Sequence, residues 1–220
     1  MCATEQGLSV SKAERTRELI LHAAIEEFAQ AGYINASTPG IARRAGVSKG
    51  LIFYHYESKQ ALLLAALDYG MGFFERFLFA NPEFGEIVDI FERIMFIGRM
   101  KHDFYKEYYQ INAMILDAYK LSENPEFHGV REYFERVIAQ FTPRFFAGVD
   151  TSKFRPTLSP EETVNFIVDV MTFISRRFTD TIDFRGDPRR AYESIQGNFA
   201  KIERYAELIK HGVYRIDSDV

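Results

Sequence analysis

The chain has 220 residues with a formal net charge of −4, and Cys2 is its single cysteine. One cysteine excludes an intrachain disulfide framework and a cysteine-built zinc site, which fits a reducing cytoplasm. No apolar run reaches the length of a membrane span and the N-terminus lacks a signal-peptide pattern, so we expect a cytoplasmic protein without membrane association.

A first helix is predicted over the segment RTRELILHAAIEEFAQAGY. Its apolar residues recur at positions 20, 24, 28 and 31, which is the spacing of one buried helical face. Gly32 is expected to stop this helix, because glycine readily adopts the left-handed backbone found at helix C-termini.

The next segment, STPGIARRAGVSKGLIFYHYESK from Ser37 to Lys59, predicts a helix-turn-helix and the start of another helix. Two short helices that cross steeply need a small residue at the contact, which Ala42 supplies. The tight turn between them needs positive φ at low cost, which Gly46 supplies. Ser58 is placed to cap the following helix. Such a unit places its second helix in a DNA major groove.

From about Arg15 to Leu67 the sequence resembles the TetR (tetracycline repressor) family of transcription regulators. The resemblance rests on the first helix, the IARRAGVSKGLIFYHY core and the SKQALL exit. Two departures occur: the family commonly has an acidic residue where this chain has Gly40 after Pro39, and often has Thr where it has Leu51. The missing acid removes the capping-box carboxylate of the second helix.

The resemblance and the position of each residue in the motif predict the contacts to double-stranded operator DNA. Lys49, Gly50 and Leu51 at the start of the recognition helix are expected to face bases. Side chains of the second helix are assigned to phosphates and flanking bases, and Tyr54, His55 and Lys59 to phosphates, whereas Ser48 is expected to cap the recognition helix. The alternatives are that Arg43 and Arg44 form only a solvated face and that His55 is an ordinary surface histidine. Phe53 is interpreted as core. The complete predicted DNA-binding set is Ser37, Thr38, Arg43, Arg44, Ser48, Lys49, Gly50, Leu51, Tyr54, His55 and Lys59.

Beyond residue 60 the sequence predicts further helices only. Starts are expected at Asn81, Asp103, Asn124 and Ser159, and the segment Arg185–Pro188 is expected to break the chain before a last helix. Pro143 is expected to kink or interrupt its helix. The predicted fold is therefore all-α with about nine helices: an N-terminal three-helix helix-turn-helix domain in residues 1–60 and an effector-binding and dimerisation domain in residues 61–220.

The last two helices each carry an apolar seam with alternating spacings of three and four, as packed helix pairs do. The resemblance implies that these seams form a four-helix bundle in a homodimer; alternatively, they face the core of their own chain. The seam residues are Val164, Ile167, Met171, Ile174, Phe178, Ile195, Phe199, Ile202, Ala206 and Ile209.

Aromatic residues crowd the middle of the chain, where a few polar side chains lie among them. Sparse polar groups in apolar surroundings are typical of ligand pockets, although a filled aromatic core would look the same. We expect a small hydrophobic or aromatic effector. The predicted lining is Phe74, Phe77, Phe91, Met95, His102, Tyr105, Tyr109, Asn112, Phe134 and Met171.

Enzymatic activity is not expected. The five histidines show no metal-ligand spacing, and neither a phosphate-binding glycine loop nor a nucleophile elbow is present. No cofactor or metal is predicted. The favoured function is a ligand-responsive regulator, most readily a repressor, that binds a pseudo-palindromic operator as a dimer. The alternative is a helical protein-interaction module that has lost specific DNA binding, a reading supported only by Pro39 and Gly40.

Overall fold

The computed structural model describes residues 11–182 and 187–214. Within these residues ten α-helices and a 3₁₀ turn, Pro125–Phe127, confirm the all-α prediction with one helix more than expected. Cys2 and the Arg185–Gly186 part of the predicted break lie outside the described residues. In chain order the helices are α1 (Lys12–Asn35), α2 (Thr38–Ala45), α3 (Lys49–His55), α4 (Lys59–Phe79), α5 (Glu83–Glu86), α6 (Ile90–Glu107), α7 (Tyr109–Leu121), α8 (His128–Phe146), α9 (Pro160–Thr179) and α10 (Pro188–Val213).

A serine hydroxyl caps each of the first four helices, as expected for Ser58. In every case the hydroxyl accepts the backbone N–H three residues later, at 3.0–3.1 Å, which satisfies a donor that the helix itself cannot pair. The capping serines are Ser11, Ser37, Ser48 and Ser58. Gly32, with φ of 69°, interrupts the regular geometry of α1 near its end, where a stop was predicted.

The largest hydrophobic core joins the N-terminal helices to the rest of the chain. Ile20 and Phe28 of α1 are buried together with Leu62 of α4, Met114 of α7 and Val130 of α8. This core continues across the predicted domain boundary between residues 60 and 61, because α4, which spans that boundary, contributes residues to it. The division into two domains at this point stays a prediction.

Two helix starts differ from the sequence prediction. The segment after Asn81 forms only the short helix α5, and the long helix α6 begins after Asp89, whose carboxylate accepts the N–H groups of Phe91 and Glu92 at 3.0 and 3.3 Å. Asp103 does not start a helix, since α6 runs through it to Glu107. Pro143 lies inside α8, which continues to Phe146.

Asp89 also joins three distant parts of the chain. Its buried carboxylate accepts hydrogen bonds from Lys153 Nζ and Tyr214 Oη, both at 2.9 Å. Lys153 lies in the connection between α8 and α9, and Tyr214 follows α10. Beside it the buried Arg93 donates to backbone oxygens of Phe145 and Ala147. The start of α6 is therefore tied to the end of α8 and the end of α10.

The apolar seams of α9 and α10 face mainly the core of their own chain. All predicted seam residues except Phe178 and Ile195 pack in one cluster with Ile90, Phe91 and Met95 of α6. This packing agrees with the alternative that the seams face the core of their own chain, because α6 provides the apolar surface that a second subunit was expected to supply. Ile195 packs at the edge of another cluster, and the ring of Phe178 stacks on Tyr205 at 6.2 Å.

Candidate nucleic-acid interface

The helix-turn-helix has the geometry predicted for it. Gly46 ends α2 with φ of 66°, and its N–H bonds back to α2. Ile41, Ala42 and Ile52 are buried beneath the crossing, each at most 5% exposed. Ala42 shares one hydrophobic core with Ile41 and Ile52, so a larger side chain at position 42 would have to displace neighbours in that core.

Helix α3 presents a largely exposed surface. Lys49, Gly50 and Tyr54 are exposed, and Tyr54 retains 81% of its accessible area. Phe53 was expected in the core, but it is 41% exposed and lies under the ammonium of Lys49, 5.5 Å from its ring centre. Leu51 and His55 are half-buried. This arrangement offers a cation, a backbone without a side chain and aromatic groups on one short helix.

Among the α2 side chains predicted to contact DNA, some are exposed and others are buried or bonded within the chain. Arg43 is exposed, and so is Ser37, although its hydroxyl already caps the helix. Thr38 is only 8% exposed, so little of its surface is accessible to DNA. Arg44 is directed at α1, where it donates to Glu26, Glu27 and Gln30 at 3.0–3.3 Å. Its expected role at a phosphate therefore competes with these bonds.

Lys59 is also engaged within the chain. Its ammonium donates to the carbonyl oxygens of Ile34 and Ala36 at 3.3 and 2.9 Å and lies 4.5 Å from the ring centre of Tyr33. Burial lowers the pKa of this lysine. The position predicted to touch phosphate thus joins the start of α4 to the turn between α1 and α2.

The residues predicted to line one effector pocket are spread over the four separate hydrophobic clusters of the described chain. Phe74 and Phe77 pack between α4 and α6, Tyr105 and Tyr109 face α10, and Phe134 lies in the large core. Phe91, Met95 and Met171 belong to the α9–α10 cluster. His102 stacks on Tyr192 at 4.3 Å, and Asn112 is half-buried in α7. The aromatic side chains therefore pack against one another in hydrophobic cores, which agrees with the alternative of a filled aromatic core.

Two of the predicted lining residues, Phe91 and Met95, do contribute to a cleft of about 390 Å³ between α6 and α10. Its apolar part is completed by Ile87 and Ala206, and both acidic and basic side chains surround it. The charged lining residues are Glu92, Arg99, Glu203, Glu207 and Lys210. Sequence reasoning missed the contribution of α10, because these charges follow the ordinary pattern of a solvated helix face.

Within residues 11–182 and 187–214, His, Cys, Asp and Glu side chains do not gather in groups of three that could hold a metal ion. None of the helices in the same ranges combines the length and the apolar character that crossing a membrane requires.

Comparison with known proteins agrees with this geometry. Residues 20–66 match the family of bacterial regulatory proteins named tetR. Over 59 residues the chain is 39% identical to the HTH-type transcriptional regulator SrpR of Pseudomonas putida. This match covers 27% of this chain and 28% of that protein. The sequence similarity thus spans less than a third of that relative.

The fold extends the likeness over most of the chain. A putative TetR-family regulator from Rhodococcus sp. matches with a TM-score of 0.60 and 20% identity, covering 86% of this chain and 99% of the other. A putative transcriptional regulator from Saccharomonospora viridis, solved in complex with choline, matches with a TM-score of 0.61 and 20% identity over 92% of this chain and 99% of the other. Residues 20–66, which run from α1 into α4, thus carry sequence similar to the tetR family of bacterial regulatory proteins, and the fold of the described chain is similar to that of these solved regulators.

Proposed function

We propose that the protein is a transcriptional regulator that reads operator DNA with α3. The observation that carries this proposal is the exposed surface formed by Lys49, Gly50 and Tyr54, on a helix whose position is fixed by Gly46 and the buried Ile52. The ammonium of Lys49 can donate to guanine O6 and N7, and Gly50 lets the backbone approach the base edges. Arg43 adds an exposed cation that can contact the DNA backbone.

We further propose a homodimer whose interface is the outward side of α9 and α10 rather than their inward seams. The four large apolar residues on this side are 44–66% exposed, whereas the seam is occupied by α6. Large apolar side chains with this degree of exposure are typical of a protein contact when they lie together. These residues are Phe166, Phe173, Tyr205 and Leu208.

A two-fold dimer presents two copies of α3 to the same face of the duplex. The operator is then pseudo-palindromic, with half-sites separated by on the order of 34 Å or more. Repression is the simplest outcome, since a bound dimer blocks access to a promoter.

The effector is proposed to be a small hydrophobic or aromatic molecule. The cleft between α6 and α10 is the site we propose, because the apolar Phe91 and Met95, which are 2% and 8% exposed, line it and charged residues lie around them. An effector bound there contacts both α6 and α10, the second of which carries the proposed dimer surface. It would release DNA only if it bound the non-DNA conformation more tightly; a 100-fold preference corresponds to about 2.7 kcal/mol.

Fluorescence anisotropy with a labelled duplex from the region upstream of the protein's own gene tests the central proposal. A random duplex is the control, and both are titrated across a series of salt concentrations. We expect tight, salt-dependent binding to the upstream duplex alone. Weak, equal binding to both duplexes would place the operator elsewhere, and a randomised-site selection would then find it. Absence of binding even at low salt would contradict the regulator and favour the interaction module.

A further inference from the structure

Helix α2 begins with a capping arrangement that is completed from another helix. In an ordinary capping box the third helical residue supplies a carboxylate that accepts the backbone N–H of the capping residue. The third residue of α2 is Gly40, which has no side chain. The N–H of the capping residue, Ser37, donates instead to Oε1 of Glu27 in α1, at 3.2 Å.

The absence of a side chain at Gly40 is required by this arrangement. A Cβ atom at Gly40 would lie 2.6 Å from Oε1 of Glu27 and 2.8 Å from Oγ of Ser37. Both distances are shorter than a van der Waals contact permits. The carboxylate of Glu27 therefore occupies the space that the Cβ atom of an acidic residue at position 40 would need.

The same carboxylate also holds the other end of α2. Its second oxygen accepts a hydrogen bond from Nη2 of Arg44, near the last turn of the helix, at 3.3 Å. Arg44 is further bonded to Glu26 at 3.1 Å. The side chain of Glu27 is only 16% exposed, so it is well shielded from solvent compared with Glu26 at 39%. One carboxylate of α1 thus contacts both the first and the last turn of α2.

We propose that Glu27 is a positioning residue for DNA binding. Its carboxylate replaces the missing capping-box acid and fixes α2 on α1, and α2 in turn fixes α3 through the Gly46 turn. A negative charge at the N-terminus of α2 also interacts favourably with the helix dipole. Glu27 touches no base or phosphate in this role. The inference rests on the DNA-binding function proposed above and assigns part of it to a residue outside the helix-turn-helix.

Four full-length proteins test the proposal: the wild type, Glu27→Ala, Glu26→Ala and the double variant Glu27→Ala/Gly40→Glu. The Glu26 variant is the matched control, because it removes the same charge and one Arg44 contact but leaves the bond to Ser37. In the double variant the new acid enters the space vacated by Glu27 and restores a capping box within α2, with a small rotation of the Ser37 hydroxyl.

We expect Glu27→Ala to weaken operator binding roughly ten-fold, the effect of one lost hydrogen bond to a charged group. The slope of log K against log salt is expected to stay at its wild-type value, because no phosphate contact is lost. Hydrogen exchange in the free protein should become faster at the Ser37 amide. Glu26→Ala should change each of these quantities much less, and the double variant should recover both affinity and protection.

Unchanged affinity in Glu27→Ala, or an equal loss in both single variants, would overturn the proposal. So would a double variant that keeps its thermal midpoint but recovers no affinity. If the wild type bound no duplex at all, the proposed function would fail and the positioning role would fail with it. The exchange rate at Ser37 would then still show whether Glu27 holds α2.

Discussion

The backbone N–H of Tyr33 donates to the carboxylate of Asp117 at 3.1 Å, across 84 residues of chain. Tyr33 lies just after the Gly32 break in α1, and Asp117 belongs to α7. The ring of Tyr33 also contacts Phe127 edge to face at 5.6 Å and lies beneath the ammonium of Lys59. The end of α1, from which the helix-turn-helix extends, is thus held by residues of the C-terminal part.

Replacing Asp117 by Ala should lower the free energy of unfolding by roughly 1–3 kcal/mol, because the partly buried N–H of Tyr33 loses its acceptor. Asp117→Asn keeps an acceptor oxygen and should lose less. Urea denaturation of both variants measures the difference. Equal stability of Asp117→Ala and wild type would show that water replaces the carboxylate.

Gly46 and Gly50 of the helix-turn-helix should respond in opposite ways to alanine. Gly46→Ala should cost about 1–2 kcal/mol of stability, because φ is 66° and a new Cβ meets no atom within 4 Å, so the cost arises from the backbone alone. Gly50→Ala should raise stability by up to about 1 kcal/mol, since it lies inside α3 with only Ser48 Oγ near, at 3.9 Å. Thermal unfolding measures both. Operator binding by Gly50→Ala should nevertheless weaken, and undiminished affinity would exclude a close approach of Gly50 to the bases.

Substitutions of Lys59 and Lys49 should affect different properties: the stability of the fold for Lys59 and the recognition of DNA for Lys49. Lys59→Ala should lose about 1–2 kcal/mol of stability through its bonds to Ile34 and Ala36, with little change in the salt slope of DNA binding. Lys49→Ala should leave the thermal midpoint unchanged and weaken operator binding by roughly 1–3 kcal/mol, with relaxed preference at one base. Anisotropy titrations and a randomised-site selection measure these effects. If the slope of log K against log salt were lower by about one in Lys59→Ala, we would conclude that Lys59 contacts a phosphate.

Acid should weaken the junction around Asp89. Burial raises the pKa of Asp89, but the hydrogen bonds from Lys153, Tyr214 and the N–H of Glu92 together outweigh it and hold the pKa below 3.8. The stabilisation is therefore complete above pH 3.8 and is lost as the pH falls through the folded-state value. We expect Asp89→Asn to be less stable by roughly 1–3 kcal/mol at neutral pH, with the gap closing in acid. Urea midpoints across pH measure this.

Tyr214→Phe is the matched control for the acid experiment. It removes one donor and leaves the carboxylate, so its stability should begin to fall at a higher pH than that of the wild type. A constant gap between Asp89→Asn and wild type at every pH would mean that Asp89 acts as a neutral cap.

The dimer surface can be tested with a charge on its outward side. Phe173→Glu or Phe166→Glu should shift the protein to monomers, each costing roughly 2 kcal/mol or more of association free energy. Ile138→Glu is the control, because Ile138 is similarly exposed, at 49%, but lies on α8. Sedimentation velocity distinguishes the species. A dimer that survives both Phe substitutions would place the interface elsewhere.

The helix-turn-helix could be predicted because its determinants lie close together in sequence. Ser48, Gly46 and Ala42 act on neighbours only a few residues away, so residue type and spacing specify the structure. The directions of Arg44 and Lys59 could not be predicted in the same way. Their partners, on α1 and at its C-terminal end, are set by how the helices pack.

The same distinction applies to the predicted dimer seam and to the predicted effector pocket. A seam such as Ile167, Met171 and Ile174 shows that a helix face is buried, but its spacing does not specify whether α6 or a second subunit covers it. Aromatic density likewise does not distinguish a filled core from a pocket. Phe74 and Phe104, 5.3 Å apart, use in packing the surface that a ligand was expected to contact.

The serine caps also bear on the order in which the chain acquires structure. Each hydroxyl acts over three residues, so the starts of α1 to α4 are specified without closing a long loop. During synthesis these starts can form as soon as their segments leave the ribosome. The bond that holds the end of α1 forms later, because Asp117 is made 84 residues after Tyr33. Maturation of the DNA-reading part should therefore wait for α7.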